Sequence, residues 1–413
     1  MTSFSAFGNP LSGSGFPSEG GTGITAWRVL LTLAVILVLL ATTGWTAIRK
    51  HDGAQGPRAA AVQAWEKGSI GGRALPGVEE SASGIARFFH SLTAAQRQTL
   101  ADRYPLVVGN LSGAPTELRY DANRTALEQA RDTERKRTAD ERLTDDGRHK
   151  AGRRMHRFES MLKPGRQILA FDPTGRGRAA EVFGDLDKAQ RVSVVVPGVD
   201  TELLTFEKSK RAYSAPVGMA KSLQKEQRQT RPDVRTATVA WADYTAPVGL
   251  GVDAASGEMA QDGAERLTDF VRDDLPGSSR ASLFCHSYGS VVCGVAADDL
   301  SPRVTDIAVA GSPGMRADSA EALDTRARVW ATRDDDDWIA DVPHMEFGGL
   351  GHGADPVSPA FGARRLSAEG SDGHTGYFVP GTGSLANFAA IGVGSSPGVD
   401  CATDDPDCTA ATD

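Results

Sequence analysis

Ala281-Ser282-Leu283-Phe284-Cys285-His286-Ser287-Tyr288-Gly289-Ser290-Val291-Val292 is the stretch on which the fold turns. Its first five residues are a short apolar run of strand composition, and the segment from 289 to 300 has helical composition. Ser287 stands between them. A strand that turns into a helix on one serine lifts the hydroxyl above the sheet. The crowded backbone of such a turn tolerates only small neighbours, hence the pattern G-x-S-x-G. Here it reads C-H-S-Y-G, with Gly289 at the second glycine position and Cys285 at the first. A serine in an ordinary turn, and Cys285 itself as a nucleophile within the strand, are the rival readings.

Similar runs lie on both sides. Val192–Val196 ends in Pro197-Gly198, Thr236–Trp241 follows, Asp306–Ala310 ends in Gly311, and Ala327–Thr332 leads into an acidic loop. Helical stretches fall between them, notably 258–275. Continuous apolar strands alternating with helices predict a mostly parallel, buried sheet with helices on both faces. Chemistry in such sheets gathers at the carboxyl ends of the strands.

The residues found at those ends are therefore informative. A serine hydroxyl needs a base, and in this strand–Ser–helix arrangement the chain order is Ser, then Asp or Glu, then His. After the fifth strand come Asp334, Asp335, Asp336 and Asp337. Asp337 is chosen as the acid because Trp338-Ile339 can fix the loop as it turns inward. A calcium site or a solvated acidic turn are the rivals. Of the eight histidines, only His344, His352 and His374 follow the acid. His374 sits in a loop before the last helix and is chosen as the base, with His352 as the alternative; His286 is too close to Ser287 along the chain. An oxyanion hole needs two backbone N–H groups. Tyr288 and Val199, the latter in the loop after an early strand, are the candidates.

Several segments together resemble an actinobacterial family of α/β-hydrolases known as a domain of unknown function. They are VVVPGVDT at 194–201, HSYGS at 286–290, GSPG at 311–314, GLGHGADP at 349–356, FGARRL at 361–366 and HTGYF at 374–378, with VVGNLSGAP at 107–115 and YDANR at 120–124 in the preceding helical part. The family pattern has Gly where this chain has Cys285. The resemblance implies an α/β-hydrolase fold with Ser287 as nucleophile, His374 as base and Asp337 as acid, and implies little about substrate.

The expected organisation starts with a disordered Gly/Ser/Pro/Thr-rich tail at 1–25. A transmembrane helix is expected at 26–48, where VLLTLAVILVLLATTGWTAI (29–48) carries no charge and Trp27 and Trp45 flank it. As a helix it is about 30 Å long, the thickness of a bilayer core. A linker at 49–81, a helical region at 82–165, the catalytic domain at 166–396 and a flexible tail at 397–413 complete it. Within the helical region, Thr93 is a candidate cap and 121–162 reads as a solvated helical hairpin over the site or mediating assembly. A cleaved signal peptide is the rival for the apolar run, but no basic region precedes it except Arg28. Arg49, Lys50 and Arg58 favour a cytoplasmic domain. A disulfide within CATDDPDC (401–408) would favour the outside, which is the side preferred here. Cys285 and Cys293 read as small buried hydrophobes.

The whole gives an expected single-pass membrane protein whose domain cleaves carboxylic esters, small or lipid-like. No cofactor or metal is called for. The net charge of −8 gives no reason to expect nucleic acid. Acyl transfer by the same residues and a non-catalytic interaction module are the alternatives, and oligomeric state is left open.

Overall fold

The computed structural model describes residues 56–405 and 408–410. The tail at 1–25 and the apolar run at 29–48 lie outside them. Among the described residues, no helix is long and apolar enough to cross a membrane.

An eight-stranded sheet organises the domain. Its strands are β1 (Gln167–Asp172), β2 (Arg178–Gly184), β3 (Arg191–Val196), β4 (Thr236–Ala242), β5 (Arg280–His286), β6 (Val304–Ala310), β7 (Arg328–Thr332) and β8 (Arg364–Arg365). The spatial order is β8-β7-β6-β5-β3-β4-β2-β1. From β8 to β4 all pairs are parallel, and β2 and β1 add an antiparallel edge. The five strands expected from sequence are all present, with ends shifted by a residue or so. The register aligns Val196 with Cys285 and His286 with Ala310, and Ala310 with Thr332. Four carboxyl ends therefore finish at one level.

Alternation of side chains along each strand divides the core into two faces. Val194, Leu283, Cys285, Ile307 and Val309 face helices α7 (Glu258–Asp273) and α8 (Gly289–Ala296). Val195, Phe284, Ala308 and Trp330 face α6 (Pro216–Thr230) and α9 (Gly383–Gly392). The central strands are mostly apolar on both sides because both sides are covered, as a parallel sheet requires.

The helical region precedes the sheet. α2 (Ala82–His90), α3 (Ala94–Arg103), α4 (Thr116–Thr138) and α5 (Asp145–Met161) make it up. Thr93 caps α3 through a reciprocal box with Gln96, which satisfies two otherwise orphaned donors. α4 and α5 pair as the expected hairpin. Their buried contact is Arg154 Nε on Glu134 Oε1 at 2.8 Å. The region is tied to the antiparallel edge: Asn123 donates to the Ile168 carbonyl, Arg119 to that of Leu169, and Asn110 exchanges two hydrogen bonds with Phe171. Since β2, β4 and β3 separate β1 from β5, the hairpin braces the edge strand.

Three expectations are corrected. Residues 57–75 are folded where a linker is expected. α1 (Pro57–Glu66) and a small hairpin pairing Ser69–Ile70 with Arg73–Ala74 occupy them. The determinant is Trp65, which is fully buried, meets Tyr104 edge-on at 5.4 Å and donates from its indole to the Pro76 carbonyl at 2.7 Å. One large aromatic in a Gly/Ala-rich context is enough to anchor the segment. Among the described residues, the tail is also held: Cys401 pairs with Cys408, Leu366 bridges to Cys401, and Asp400 accepts from the Ser367 N–H and exchanges two hydrogen bonds with Asn387. The remaining cysteines form a second bond, Cys285–Cys293, between β5 and α8. Their apolar setting conceals a cross-link where two buried thiols are expected, because the strand–turn–helix brings positions eight apart face to face.

Replacing Trp65 with Ala is expected to lower the unfolding free energy by about 3 kcal/mol, the typical loss for a buried aromatic. Urea denaturation of the full chain measures it. A change under about 0.5 kcal/mol would return this segment to the status of a linker.

Candidate active site

β5 ends at His286, and the next residue turns the chain back. Ser287 has φ 56°, in the left-handed region that a side chain rarely adopts. Such a conformation costs about 1–2 kcal/mol without support. Here the Ser287 N–H donates to the Ala310 carbonyl at 3.0 Å, and the Ser290 hydroxyl to that of Cys285 at 3.1 Å. The glycine at 289 is required by contact: a Cβ there would fall 2.2 Å from the Val196 oxygen. Cys285 is tolerated at the other glycine position because its side chain runs into the layer below the sheet to meet Cys293. Ser287 itself is 5% exposed.

The loop after β3 comes up against this turn. A Cβ on Gly198 would lie 2.6 Å from Ser287 Cβ and 2.9 Å from its Oγ, so only bare backbone fits. Thr201 donates to the Gly198 carbonyl at 2.9 Å. Asp200, also left-handed at φ 59°, bonds through its N–H to the Pro247 oxygen and through its carboxylate to the Gly249 N–H. Val199 is thus in a pinned loop beside Ser287, and Tyr288 opens α8.

Asp337 and His374 come together although 37 residues separate them. His374 Nδ1 is 2.8 Å from Asp337 Oδ1 and 3.1 Å from Oδ2. A carboxylate accepts, so Nδ1 carries the proton and Nε2 keeps its lone pair. Tyr377 donates to Asp337 Oδ2 at 2.5 Å, and the Ile339 N–H to Oδ1 at 2.9 Å. Burial alone would raise this carboxyl, but the bonds from His374, Tyr377 and Ile339 hold it below its ordinary value. Tyr377 responds in the opposite sense: burial first, then the bond to Asp337, pushes its hydroxyl far up. The Trp338 ring covers the imidazole of His374 at 4.6 Å. Gly311, at the end of β6, is the floor: a Cβ there would sit 2.7 Å from Asp337 Oδ2 and 3.1 Å from His374 Nδ1.

The other candidates separate cleanly. Asp335 and Asp336 are exposed. Asp334 accepts from the Gly373 and Asp336 N–H groups, tying the acid loop to the loop that carries His374. Among the described residues no group of three or more His, Cys, Asp and Glu is placed to hold a metal ion. His352 is buried against the Tyr288 ring at 5.8 Å, away from Asp337, and burial lowers its pKa to about 4. His344 lies 3.1 Å from the Pro313 carbonyl.

His286 has a role that chain distance hides. It cannot serve Ser287, its own neighbour, but its Nε2 is 2.6 Å from the carbonyl of His374 and must donate to it. The two rings lie 4.9 Å apart. Burial foremost, then the neighbouring His374, drives the pKa of His286 down to about 3, so it stays neutral and holds the loop by a hydrogen bond. Tyr377 is the other such residue. Its place inside HTGYF is the only sequence signal for it.

Residues 172–347 match the sequence profile of a family described as alpha/beta hydrolase. The match contains Ser287 and Asp337 and ends before His374. An uncharacterized protein of Mycobacterium tuberculosis strain H37Rv is 27% identical over 382 residues, covering 78% of this chain and 57% of its own. The chain thus spans little more than half the length of that relative. An uncharacterized protein of Mycobacterium bovis is 31% identical over 39% of this chain and 62% of its own. Among solved structures, a CIB-like hydrolase from Thermoplasma acidophilum is 15% identical, covering 55% of this chain and 95% of that one at a TM-score of 0.34. Esterase PE8 is 14% identical, covering 51% and 95% at the same score.

The buried histidines set a pH response. Both His286 and His352 have folded pKa values below the ordinary 6.5, at about 3 and about 4. Below pH 6.5 the unfolded chain takes up their protons first, so stability falls as pH drops from there toward 4. Each histidine contributes about 1.4 kcal/mol per pH unit. Thermal melts between pH 6.5 and 4.5 should show this slope, with roughly half of it gone in His286→Gln. An unaltered slope in that variant would place the protonation elsewhere.

Proposed function

We propose that the domain is a serine hydrolase that cleaves carboxylic esters through an acyl-enzyme on Ser287. The observation that carries this reading is the conjunction of the left-handed Ser287 turn after β5 with the Asp337–His374 hydrogen bond after β7, one strand away across the sheet. Ser287 Oγ attacks the acyl carbon while His374 Nε2 takes its proton. The imidazolium so formed is stabilised by Asp337, which also fixes the ring and its tautomer. The Val199 and Tyr288 amides receive the charge that develops on the carbonyl oxygen. Collapse expels the alcohol, which takes the proton back from His374. Water, deprotonated by His374 in turn, then releases the acid and restores Ser287.

The domain is also proposed to be anchored by the apolar run at 29–48, with its bulk on the oxidising side of the membrane. The support is that all four cysteines are paired, and such bonds persist outside reducing compartments. Arg49 and Lys50 weigh against this orientation, but large domains translocate largely regardless of flanking charge.

A fluorophosphonate probe should label the full chain once, at Ser287. Labelling should vanish in Ser287→Ala and persist in Cys285→Ala with Cys293→Ala. Ester turnover should fall about 10³–10⁴-fold in His374→Ala and in Asp337→Asn. Labelling that survives Ser287→Ala would sink the site assignment, and no labelling of the unaltered chain would leave a non-catalytic role. Orientation has its own test: protein from untreated membranes, denatured before labelling because Cys285, Cys293 and Cys408 are buried, should take up no maleimide until a reductant is added. Four modified cysteines without reductant would place the domain on the cytoplasmic side.

A further inference from the structure

Eight large apolar side chains stand exposed among the described residues, and their distribution is not random. Val248, Leu250 and Val252 lie on the loop after β4. Met345, Phe347 and Leu350 lie on the connection between β7 and β8. Trp338 follows Asp337, and Val379 lies two residues beyond Tyr377. All eight are on connections near the carboxyl ends of the strands, and the helical region contributes none. Exposed apolar residues scattered singly need no explanation; a cluster at one end of a sheet does.

Each of these elements is fastened to one that carries a reacting group. The 247–249 segment is hydrogen-bonded to Asp200, the residue after Val199. Residues 346–351 form a two-stranded ribbon in which Phe347 pairs directly with Leu350, so the two side chains lie on one face. They are 87% and 47% exposed. Gly348 and Gly349, at φ 61° and 83°, supply the tight turn between them. Arg316 holds the ribbon from the other side, reaching the Gly351 carbonyl and Glu346. Leu350 also bridges to Ser256, whose carbonyl accepts from the Tyr288 hydroxyl at 3.4 Å. Trp338 lies on His374. The oxyanion loop, the residue after the nucleophile and the base are thus each bordered by an exposed apolar group.

We propose that this rim is an acyl-chain subsite, with Val248 and Leu250 on one side and the Phe347–Leu350 ribbon on the other, so that the preferred substrate is an ester of a medium or long apolar chain. This rests on the reading of Ser287 as nucleophile. A chain leaving an acyl carbon at Ser287 would pass elements tied to the Val199 loop and to Tyr288, and these elements carry the exposed apolar side chains. Binding would remove from water both the chain and a rim that is otherwise wet, and the gain grows with each methylene buried.

The test uses alkyl fluorophosphonates with ethyl and octyl chains, below aggregating concentration, on the full-length protein. The rate constant for labelling Ser287 is read by intact mass. The octyl probe should react faster by at least about tenfold, the worth of roughly two buried methylenes. That ratio should shrink several-fold in Phe347→Ser with Leu350→Ser, and again in Val248→Ser with Leu250→Ser. Melting temperatures, recorded alongside, should hold, since these side chains have little packing to lose. Equal rates for the two probes, with Ser287 labelled, would overturn the subsite and leave the nucleophile standing. A ratio that persists in both double variants would do the same. Failure of both probes to label Ser287 would overturn the hydrolase reading and the subsite with it.

Discussion

The left-handed turn at Ser287 is the constraint around which the rest is arranged. An L-residue in that conformation is disfavoured by about 1–2 kcal/mol, and it persists only where its surroundings over-determine it. The β5–β6 register does this first, by delivering the Ala310 carbonyl to the Ser287 N–H. Close packing does it again, with Gly198 and Gly289 each placed where a side chain would collide with the turn or with the end of β3. The sheet must therefore be parallel and level at these strands. A one-residue slip of β6 or β3 would remove both supports and reverse every side chain on the slipped strand.

Around that turn, charge is arranged with little freedom. Asp337 is fully buried in its side chain, where a bare carboxylate would be costly. Three donors, from His374, Tyr377 and the Ile339 backbone, compensate for the lost water. The loop that carries His374 is gripped from outside the pair as well, by His286 on its carbonyl and by Asp334 on the Gly373 N–H. A histidine delivered on a loop is ordinarily placed imprecisely. Four hydrogen bonds from β5, the acid loop and Tyr377 remove that slack, so the imidazole is set before any ligand arrives.

What the sequence makes legible follows from which constraints are local. The strand–Ser–helix turn is readable because small residues and a change of periodicity sit within ten positions. The order of acid and histidine is readable because it follows the strand order. Asp337 is legible only as one of four neighbours; what separates it from Asp334 is where a short loop turns, and that is decided by Tyr377, forty residues downstream. His286 is discounted by a sound argument about its own neighbour, since nothing local shows that its partner is a backbone carbonyl on another loop. Trp65 gives no periodic signal, so its segment reads as linker until the pocket formed by α2, α3 and Tyr104 is known.

Cys285 shows how a departure from a pattern can be structural. The small residue expected there avoids a collision beneath the turn. A cysteine avoids it too, provided its sulfur has somewhere to go, and Cys293 on the next two turns of α8 provides the place. Closing a loop this short contributes about 2.5 kcal/mol in the chain-entropy account, less than a long-range bridge would. Its placement matters more than its magnitude. It joins the last strand residue but one before Ser287 to the helix that leaves the turn, the two elements whose separation fixes the serine. Ser290 Oγ on the Cys285 carbonyl makes the same connection by hydrogen bond. With a glycine at 285 the turn would rest on that bond and on packing alone. With the bridge it is also held covalently, so the strand end and the helix that flank the strained turn cannot separate.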